Sequence, residues 1–410
     1  MPSIGPGRPL KDSQPVAVKA AHQVSWEDSD VLVNVFDKLL KRPPLVSAES
    51  VHALAGELEF VARGEAVVIQ AGECAEIFDD AAPDRIREKA TQVHRLADIV
   101  EGAGMPAIRV GRLAGQYAKP RSQSTETLVD GTVLTTYLGD AVNAREATAL
   151  SRRPDPTRLL AAYDHASSAL EALFMRQLLI SESNSGLRSM LAPTYVSHEA
   201  LLLEFESALV RPDHVKGGNY ASSAHLLWIG ERTRQVDHAH VEFAEGISNP
   251  VGVKLGPAAE PADVVAIAER LTAGRRPGRV SMIVRMGAGR LYERLPALID
   301  ALGPLAREVV WLCDPMHGNT VRAGDGRKTR VMTDVVAEVE QFFEVLRARG
   351  CWPGGLHLET TPDDVSECVE IKAELASPQP AGLFKSACDP RLNYSQAERV
   401  VSRAVDLIGS

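Results

Sequence analysis

The sequence predicts an α/β protein of the (β/α)8, or TIM-barrel, class. From residue 60 onward, short runs rich in apolar and β-branched residues alternate with longer stretches of helical periodicity, and 410 residues suit one such barrel with additions. A doubly wound sheet is the alternative fold. The eight predicted strands are 66–70, 107–110, 225–229, 251–255, 280–285, 309–312, 355–359 and 382–384.

Amphipathic stretches predict the helices of the barrel at 84–101, 261–271, 291–302, 333–349 and 395–408. The rest of the chain predicts three additions. Residues 1–20 have no periodicity and predict a flexible N-terminal arm. Residues 21–60 predict a helical extension, with helices at 30–40 and 48–63 separated by two prolines. Residues 61–410 then form the catalytic barrel, with a helical insert at about 123–220 between strands two and three that contains helices 156–180 and 197–210.

Composition excludes several classes of protein. The content of 45% apolar and 24% charged residues is typical of a globular chain with a large core, and a net charge of -9 argues against nucleic-acid or anionic-membrane binding. Five cysteines without paired spacing, and the lack of a secretory signal or an apolar run of roughly 18 residues, predict a soluble protein of the reducing cytoplasm.

Four potential metal ligands each stand at or just after the end of a predicted strand: Cys74, His317, Glu359 and Asp389. A parallel barrel brings the ends of all its strands to one rim, so residues far apart in sequence can meet there. Taken singly, each has an ordinary alternative, such as a small buried residue for Cys74 or a turn before proline for Asp389. Together they suit Mn²⁺, Co²⁺, Fe²⁺ or Zn²⁺, and their dispersal over predicted strands one, six, seven and eight indicates a catalytic metal.

A second, mostly basic group is predicted at the same rim. Surface charges in solvent are the usual alternative, but Lys254 and Arg285 are flanked by apolar strand residues. Cations at strand ends of an acidic protein indicate a phosphorylated substrate. The group comprises Arg112, Lys119, Pro120, Arg121 and Ser122 after the second predicted strand, Glu231 and Arg232 after the third, and Lys254 and Arg285 at the ends of the fourth and fifth.

Six segments resemble the type II (plant-like) 3-deoxy-D-arabino-heptulosonate 7-phosphate (DAHP) synthases. They occur in the family's order, and the resemblance extends from about residue 25 to the C-terminus. It implies a (β/α)8 barrel and a metal-dependent condensation of phosphoenolpyruvate with erythrose 4-phosphate, the first step of the shikimate pathway. The segments are GQYAKPRS, HLLWIGERTRQ, NPVGVKLGP, CDPMHGNT, GGLHLETTPDDVSEC and ACDPRLN.

The resemblance also implies roles for individual residues. The family's metal ligands fall on Cys74, His317, Glu359 and Asp389, with Mn²⁺ or Co²⁺ as the expected ion. The phosphoenolpyruvate site falls on Arg112, Glu231, Arg232, Lys254 and Arg285, and the erythrose 4-phosphate site on Lys119, Pro120, Arg121, Ser122 and Lys328. Catalysis would rest on Lys254, Arg285, His317 and Glu231. A homo-oligomer is expected, and chorismate mutase is a candidate partner.

Three departures from the family modify these expectations. Leu138 replaces an Arg and Ala288 replaces an Asn near the rim, so an amino sugar phosphate is an alternative second substrate. A catalytically silent paralogue that binds another pathway enzyme is a further alternative. The helix near residue 180 passes through 181–186 almost directly to the next helix, whereas long family members have extra regulatory helices there. This predicts weak or no inhibition by aromatic amino acids, as in short members that serve antibiotic or phenazine pathways.

Overall fold

The computed structural model describes residues 19–121, 123–128, 130–182, 192–376 and 383–409. Eight parallel strands close into a barrel in which each strand pairs with its neighbours in sequence and the last pairs with the first. The predicted (β/α)8 class is therefore confirmed. The barrel strands are β1 (Val67–Gly72), β2 (Ala107–Arg112), β3 (Tyr195–Glu199), β4 (Leu226–Ile229), β5 (Val251–Leu255), β6 (Val280–Val284), β7 (Val310–Cys313) and β8 (Pro353–Glu359).

The third strand was assigned incorrectly from the sequence. Strand β3 lies where we predicted the start of helix 197–210 and inside the predicted insert at 123–220. The buried Ser197 of β3 is hydrogen-bonded to the two preceding strands. Its Oγ accepts from Gln70 Nε2 of β1 at 2.9 Å and donates to Gly111 O of β2 at 3.0 Å. Such buried polar contacts remove the apolar alternation that identifies a strand, and the leucines that follow have helical spacing.

The eighth predicted strand was also wrong. Residue 382 of the predicted run 382–384 lies outside the described residues, and residues 383 and 384 form no strand. The run predicted as the seventh strand is β8, so Glu359 ends the last strand and Asp389 lies in the loop that follows it. The candidate ligands thus belong to strands one, seven and eight, and Lys254 and Arg285 belong to β5 and the end of β6.

Ten α-helices in the described residues surround or extend the barrel. No described helix combines the length and the apolar character that a membrane crossing requires. Residues 1–18 of the predicted arm and residues 183–191, which include most of the predicted short connection, lie outside the described part of the chain. The helices are α1 (Ser29–Leu40), α2 (Ala48–Ala62), α3 (Pro83–Gly102), α4 (Arg158–Glu182), α5 (Leu203–Ala208), α6 (Ala239–Glu245), α7 (Pro261–Thr272), α8 (Leu291–Leu302), α9 (Met332–Ala348) and α10 (Tyr394–Gly409).

Helix α2 closes the N-terminal end of the barrel. Leu54, Leu58 and Val61 of this helix are fully buried and pack with interior strand residues such as Val68 and Trp228. Helix α1 packs instead against α4 and α5, in a second apolar cluster beside the barrel. Because α2 covers the N-terminal end of the barrel, the opposite, C-terminal rim, where the candidate site residues lie, is the end expected to admit ligands.

The pairing of β1 with β8 depends on a glycine at position 355. Gly355 has a φ of 141°, and a Cβ there would overlap the carbonyl oxygen of Val68 on β1. We expect Gly355→Ala to lower the free energy of unfolding by about 1–3 kcal/mol, as measured by urea denaturation. Gly56→Ala in α2 is the control, since a Cβ there meets open space and should raise that free energy by up to about 1 kcal/mol. Equal effects of the two substitutions would contradict this account.

Candidate active site

The four candidate metal ligands meet at the C-terminal rim of the barrel. His317 Nε2 lies 2.9 Å from Glu359 Oε1, and one ligand atom from each of His317, Glu359 and Asp389 lies within 4.8 Å of the others. Cys74 lies beside the same group, because its Sγ accepts from the backbone N–H of Asp389 at 3.3 Å. Residues separated by up to 315 positions in the chain thus converge on one place.

Cys388 is a fifth possible ligand, which the sequence analysis did not select. Cys74, Cys388 and Asp389 also offer ligand atoms within 4.8 Å of one another. A hydrogen bond from the Cys74 thiol and the nearby charges of Lys119 and Arg121 lower the pKa of Cys388, whereas burial raises the pKa of Cys74. The adjacency of Cys388 to Asp389 was the available signal.

A positive charge lies among these donor atoms. The ammonium group of Lys119 is 2.5 Å from Cys74 Sγ, 2.5 Å from Asp389 Oδ2 and 3.7 Å from Glu359 Oε1. Burial alone would lower the pKa of Lys119, but the surrounding acidic groups outweigh burial and raise it well above its usual range. The donor atoms therefore surround and stabilise the ammonium group of Lys119.

Asp314 orients the imidazole of His317. The Nδ1 atom of His317 lies 2.7 Å from Asp314 Oδ2, and the Asp314 carboxylate also accepts the backbone N–H groups of Met316 and His317. Burial lowers the pKa of His317, which favours the neutral ring with its proton on Nδ1. Nε2 then presents a lone pair toward Glu359 Oε1, and two acceptors 2.9 Å apart are stabilised by a shared cation.

Glu359 is fully buried between basic side chains. Arg112 Nη2 lies 3.0 Å from one of its carboxylate oxygens, and Arg330 Nη2 lies 2.7 Å from the other. Burial would raise the pKa of Glu359, but the surrounding basic groups, among them the charges of Lys119 and Arg330, hold it well below its usual range. Arg330 was missed in the sequence, although it stands two residues from Lys328.

This donor set fits a divalent transition metal. A thiol, an imidazole and two carboxylates of low pKa offer the mixture of soft, borderline and hard donors that Mn²⁺, Co²⁺, Fe²⁺ and Zn²⁺ accept. The sharing of Nδ1 of His317 with a buried carboxylate is the arrangement usual for a metal-binding histidine. Cys74, His317, Glu359 and Asp389 would hold such an ion.

The basic residues expected to bind phosphoenolpyruvate lie beside this group. Lys254 Nζ is 3.2 Å from Asp314 Oδ2, and Arg285 Nη2 donates to the carbonyl oxygen of His317 at 3.2 Å. The side chains of Lys254 and Arg112 both lie over the ring of Trp228, at 5.4 and 5.2 Å from its centre. The basic and metal-binding groups are thus in direct contact.

Glu231 and Arg232, which follow β4, occupy different positions. Glu231 accepts the backbone N–H of Gly256 at 2.5 Å, and a Cβ on Gly256 would lie 2.9 Å from Arg285 Nη1. Glu231 therefore holds the loop after β5 against Arg285. Arg232 is exposed and donates to Pro120 O at 3.3 Å, which brings it to the loop that carries Lys119.

The residues expected to bind erythrose 4-phosphate are only partly brought together. Arg121 Nη1 lies 2.8 Å from Cys388 Sγ, and Lys328 Nζ lies 2.7 Å from Asp389 Oδ1. Lys119 lies within the candidate metal ligands rather than beside them. Ser122 lies outside the described residues.

Glu199, the last residue of β3, is a candidate that the missed strand concealed. Its Oε1 atom is buried and has no hydrogen-bond partner among the described residues. Burial raises the pKa of Glu199, although Lys254, Lys119, Arg232 and Arg112 oppose the rise. A carboxyl group at the end of a barrel strand, with an unpartnered oxygen among the described residues and under the electrostatic influence of four candidate substrate-binding cations, is placed to contact a substrate or water.

Comparisons with known proteins agree with this geometry. The model of the class-II DAHP synthetase family matches residues 11–188 and 172–403. The chain is 41% identical to a phospho-2-dehydro-3-deoxyheptonate aldolase of Streptomyces coelicolor, over 92% of this chain and 93% of that protein. It is 38% identical to the protein of that name from Mycolicibacterium smegmatis, over 93% and 91% of the two chains, and 40% identical to a probable one from Pseudomonas fluorescens, over 92% and 93%.

A solved structure supports the fold independently. The phospho-2-dehydro-3-deoxyheptonate aldolase of Francisella tularensis superimposes with a TM-score of 0.57 over 91% of this chain and 96% of that one, at 14% identity. At this identity the likeness shows the fold alone. The sequence matches cover nearly the whole chain, and the chain belongs to the class-II DAHP synthetase family.

Proposed function

We propose that this protein is a metal-dependent 3-deoxy-7-phosphoheptulonate synthase. It would condense phosphoenolpyruvate with erythrose 4-phosphate and water to give 3-deoxy-D-arabino-heptulosonate 7-phosphate and inorganic phosphate. The observation that carries the proposal is the contact between the cations of the rim and the metal-binding group, through Arg285 with the carbonyl oxygen of His317 and Lys254 with Asp314, which orients His317. Family membership supports the same reaction.

Binding and orientation of phosphoenolpyruvate fall to the cations of the rim. Arg285 and Lys254 are partly or fully buried, so their charges act on a phosphate or carboxylate with little screening by solvent. Guanidinium groups can bind these anions through two parallel hydrogen bonds, which fixes the face of the enol that reacts. Fixing that face beside a second substrate lowers the entropic part of the barrier.

The first bond would form between C3 of phosphoenolpyruvate and the aldehyde carbon of the sugar phosphate. A divalent ion held by Cys74, His317, Glu359 and Asp389 would supply Lewis acidity toward the aldehyde oxygen. Asp314 keeps His317 in the tautomer that presents Nε2, and Arg112 and Arg330 keep Glu359 ionised. Lys119, already in contact with two of the four donors, would offer a positive charge and an N–H group to the developing alkoxide.

Water would then add to C2, and the C2–O bond to phosphate would break. A carboxylate near this carbon is needed to accept the proton of the water. Glu199 is suited to this role, because its Oε1 is unpartnered among the described residues and four cations of the rim act on its charge. Glu231 is engaged with Gly256 and Arg234, which suits it to holding the loop instead.

The direct test is turnover by purified protein under anaerobic conditions. Phosphoenolpyruvate and erythrose 4-phosphate should yield a product with the mass of the seven-carbon keto acid phosphate and one phosphate per product. Metal content measured on the same sample should correlate with activity, and Mn²⁺ or Co²⁺ should restore activity after chelation. Phosphate release that is the same with and without the aldehyde would contradict a condensation.

A variant sugar phosphate is the second candidate substrate. Leu138 packs against the apolar cluster of α1 and α4, while its backbone oxygen accepts the N–H of Lys119 at 2.9 Å. Ala288 gives only its backbone N–H, to Asn319 Oδ1 at 3.1 Å. Neither offers a polar side chain to a substrate. An amino sugar phosphate as second substrate is distinguished by product mass when both aldehydes are supplied.

A silent paralogue is the remaining alternative. It would bind phosphoenolpyruvate or a pathway enzyme without releasing phosphate. The presence of all four candidate ligands and of Lys254 and Arg285 in one place argues for catalysis. An absence of phosphate release with added Mn²⁺ and every aldehyde tested would favour the silent protein.

We expect weak or no feedback inhibition by aromatic amino acids. The sequence that follows α4, which ends at Glu182, is short where long relatives of this family have regulatory helices. Turnover measured with micromolar Trp, Phe and Tyr, singly and together, should stay close to the uninhibited rate. Strong inhibition by any of them would overturn this expectation and the expected likeness to short members that serve antibiotic or phenazine pathways.

A further inference from the structure

The loops after β6 and β7 pack backbone against backbone. Gly287 has a φ of 83°, and a Cβ on it would lie 2.7 Å from the carbonyl oxygen of Gly318. A Cβ on Gly318 would in turn overlap the backbone nitrogen of Gly287. Arg285 lies two residues before the first of these glycines and His317 one residue before the second. The separation of these loops therefore sets the separation of two proposed site residues.

Glu338 of α9 joins the two loops from beneath. Its Oε1 accepts the backbone N–H of Gly287 at 2.8 Å, and its Oε2 accepts the side-chain amide of Asn319 at 2.7 Å. Asn319 completes the link, because its Oδ1 accepts the backbone N–H of Ala288 at 3.1 Å. One carboxyl group thus bonds both loops, in addition to the contact between Arg285 and the His317 carbonyl.

The environment of Glu338 is unusual for a residue that only stabilises a helix. The side chain is fully buried, and it has no ion-pair partner within the described residues. Burial and, to a lesser extent, the negative charge of Asp314 raise its pKa to about 8, against the effect of its N–H donors. An apolar residue at 338 would avoid this cost, so the two loop contacts are what the carboxyl group contributes.

We propose that Glu338 is a positioning residue that couples the anion-binding half of the site, through Arg285, to its metal-binding half, through His317. The inference rests on the proposed function, since it assigns those two residues to phosphoenolpyruvate and to the metal. Glu338 touches neither ligand. It holds the loop geometry that both ligands require.

The test measures the binding of each ligand separately in the full-length protein. Mn²⁺ binding is measured by calorimetry without phosphoenolpyruvate, and phosphoenolpyruvate binding is measured on chelator-treated protein. Loss of a hydrogen bond that orients a metal-binding side chain typically weakens metal binding about 10–100-fold. We expect Glu338→Ala to lower the affinities for Mn²⁺ and for phosphoenolpyruvate within that range. Glu338→Gln should be intermediate, because its amide oxygen can accept from Gly287 while its NH₂ group faces the amide of Asn319.

Two further variants separate positioning from general destabilisation. Glu340 lies on the same helix and pairs with Arg403 at the surface. The Glu340→Gln protein should therefore bind Mn²⁺ and phosphoenolpyruvate as the wild type does. Asn319→Ala removes the same link from the other side, so its effect and that of Glu338→Ala should not add in the double variant. Thermal unfolding of each variant verifies that the tested protein is folded.

The possible failures are distinguishable. Wild-type affinities for both ligands in folded Glu338→Gln and Glu338→Ala, or a loss confined to one ligand, would overturn the coupling. Equal losses in Glu340→Gln would overturn it as well. A wild-type protein that binds neither Mn²⁺ nor phosphoenolpyruvate would instead overturn the proposed function.

Discussion

Replacement of His317 by alanine is expected to reduce turnover by at least about 100-fold and to weaken Mn²⁺ binding in parallel. The substitution removes Nε2, which lies 2.9 Å from Glu359 Oε1 at the centre of the donor set. It also removes the hydrogen bond between the imidazole and Asp314, which then keeps only its backbone N–H donors and Lys254. None of these groups can replace the imidazole nitrogen as a metal ligand. Turnover and metal content measured on the same preparation test both effects.

His214 provides the matched control for this substitution. It is exposed in the short hairpin between β3 and β4 and contacts none of the candidate ligands. We expect His214→Ala to keep wild-type turnover and metal content. A folded His317→Ala protein with wild-type turnover and metal content would show that His317 is not a metal ligand. Cys388 would then be the alternative donor.

Sequence reasoning reached the barrel class because most strands are apolar runs flanked by helices of clear periodicity. It failed at β3 because this strand contains two polar residues, Ser197 and Glu199. Ser197 is hydrogen-bonded to a residue of another strand, and Glu199 is a candidate site residue at the rim. Local periodicity cannot reveal a hydrogen bond to Gln70, which is 127 residues away. The same failure concealed Glu199, the carboxyl group that we assign to the water-addition step.

Candidate ligands were easier to find than their surroundings. Cys74, His317, Glu359 and Asp389 were selected because each follows an apolar run, and this holds for three of them in the structure. Asp389 was selected because it follows the predicted strand 382–384, which was wrong. It lies in a loop that returns to the rim after β8. The place of Lys119 among the donors, and the contacts of Arg330 with Glu359, depend on distances that no spacing in the sequence encodes.

The buried charges of the rim explain why its residues act as a unit. Glu359 contacts Arg112, Arg330 and His317, and removal of one member of such a buried group leaves the others without compensation. Variants at Glu359 or Arg330 would therefore combine loss of stability with loss of function. Informative substitutions are those at partly buried positions whose loss leaves no buried charge unpaired.

Arg285 is such a position. It is half-buried at the end of β6, and its contact in the protein is a neutral carbonyl oxygen, that of His317. We expect Arg285→Ala to reduce kcat/KM for phosphoenolpyruvate by about 10²–10³-fold, the usual effect of losing one preorganised donor to a developing or bound anion. The free energy of unfolding should change little, because Arg285 forms no ion pair with any residue that the structure describes.

The identity of the cation should matter as well as its charge. Arg285→Lys keeps the positive charge but loses the planar pair of donors, so we expect it to be intermediate between wild type and Arg285→Ala. Arg276→Ala is the control. Arg276 is exposed and lies just before the N-terminal end of β6, away from the rim, so its replacement should leave the kinetics unchanged. A folded Arg285→Ala protein with a wild-type KM for phosphoenolpyruvate and wild-type kcat would remove Arg285 from the site. The phosphate would then have to be bound by Lys254 and Arg232, and Glu338 would hold a loop that carries no substrate contact.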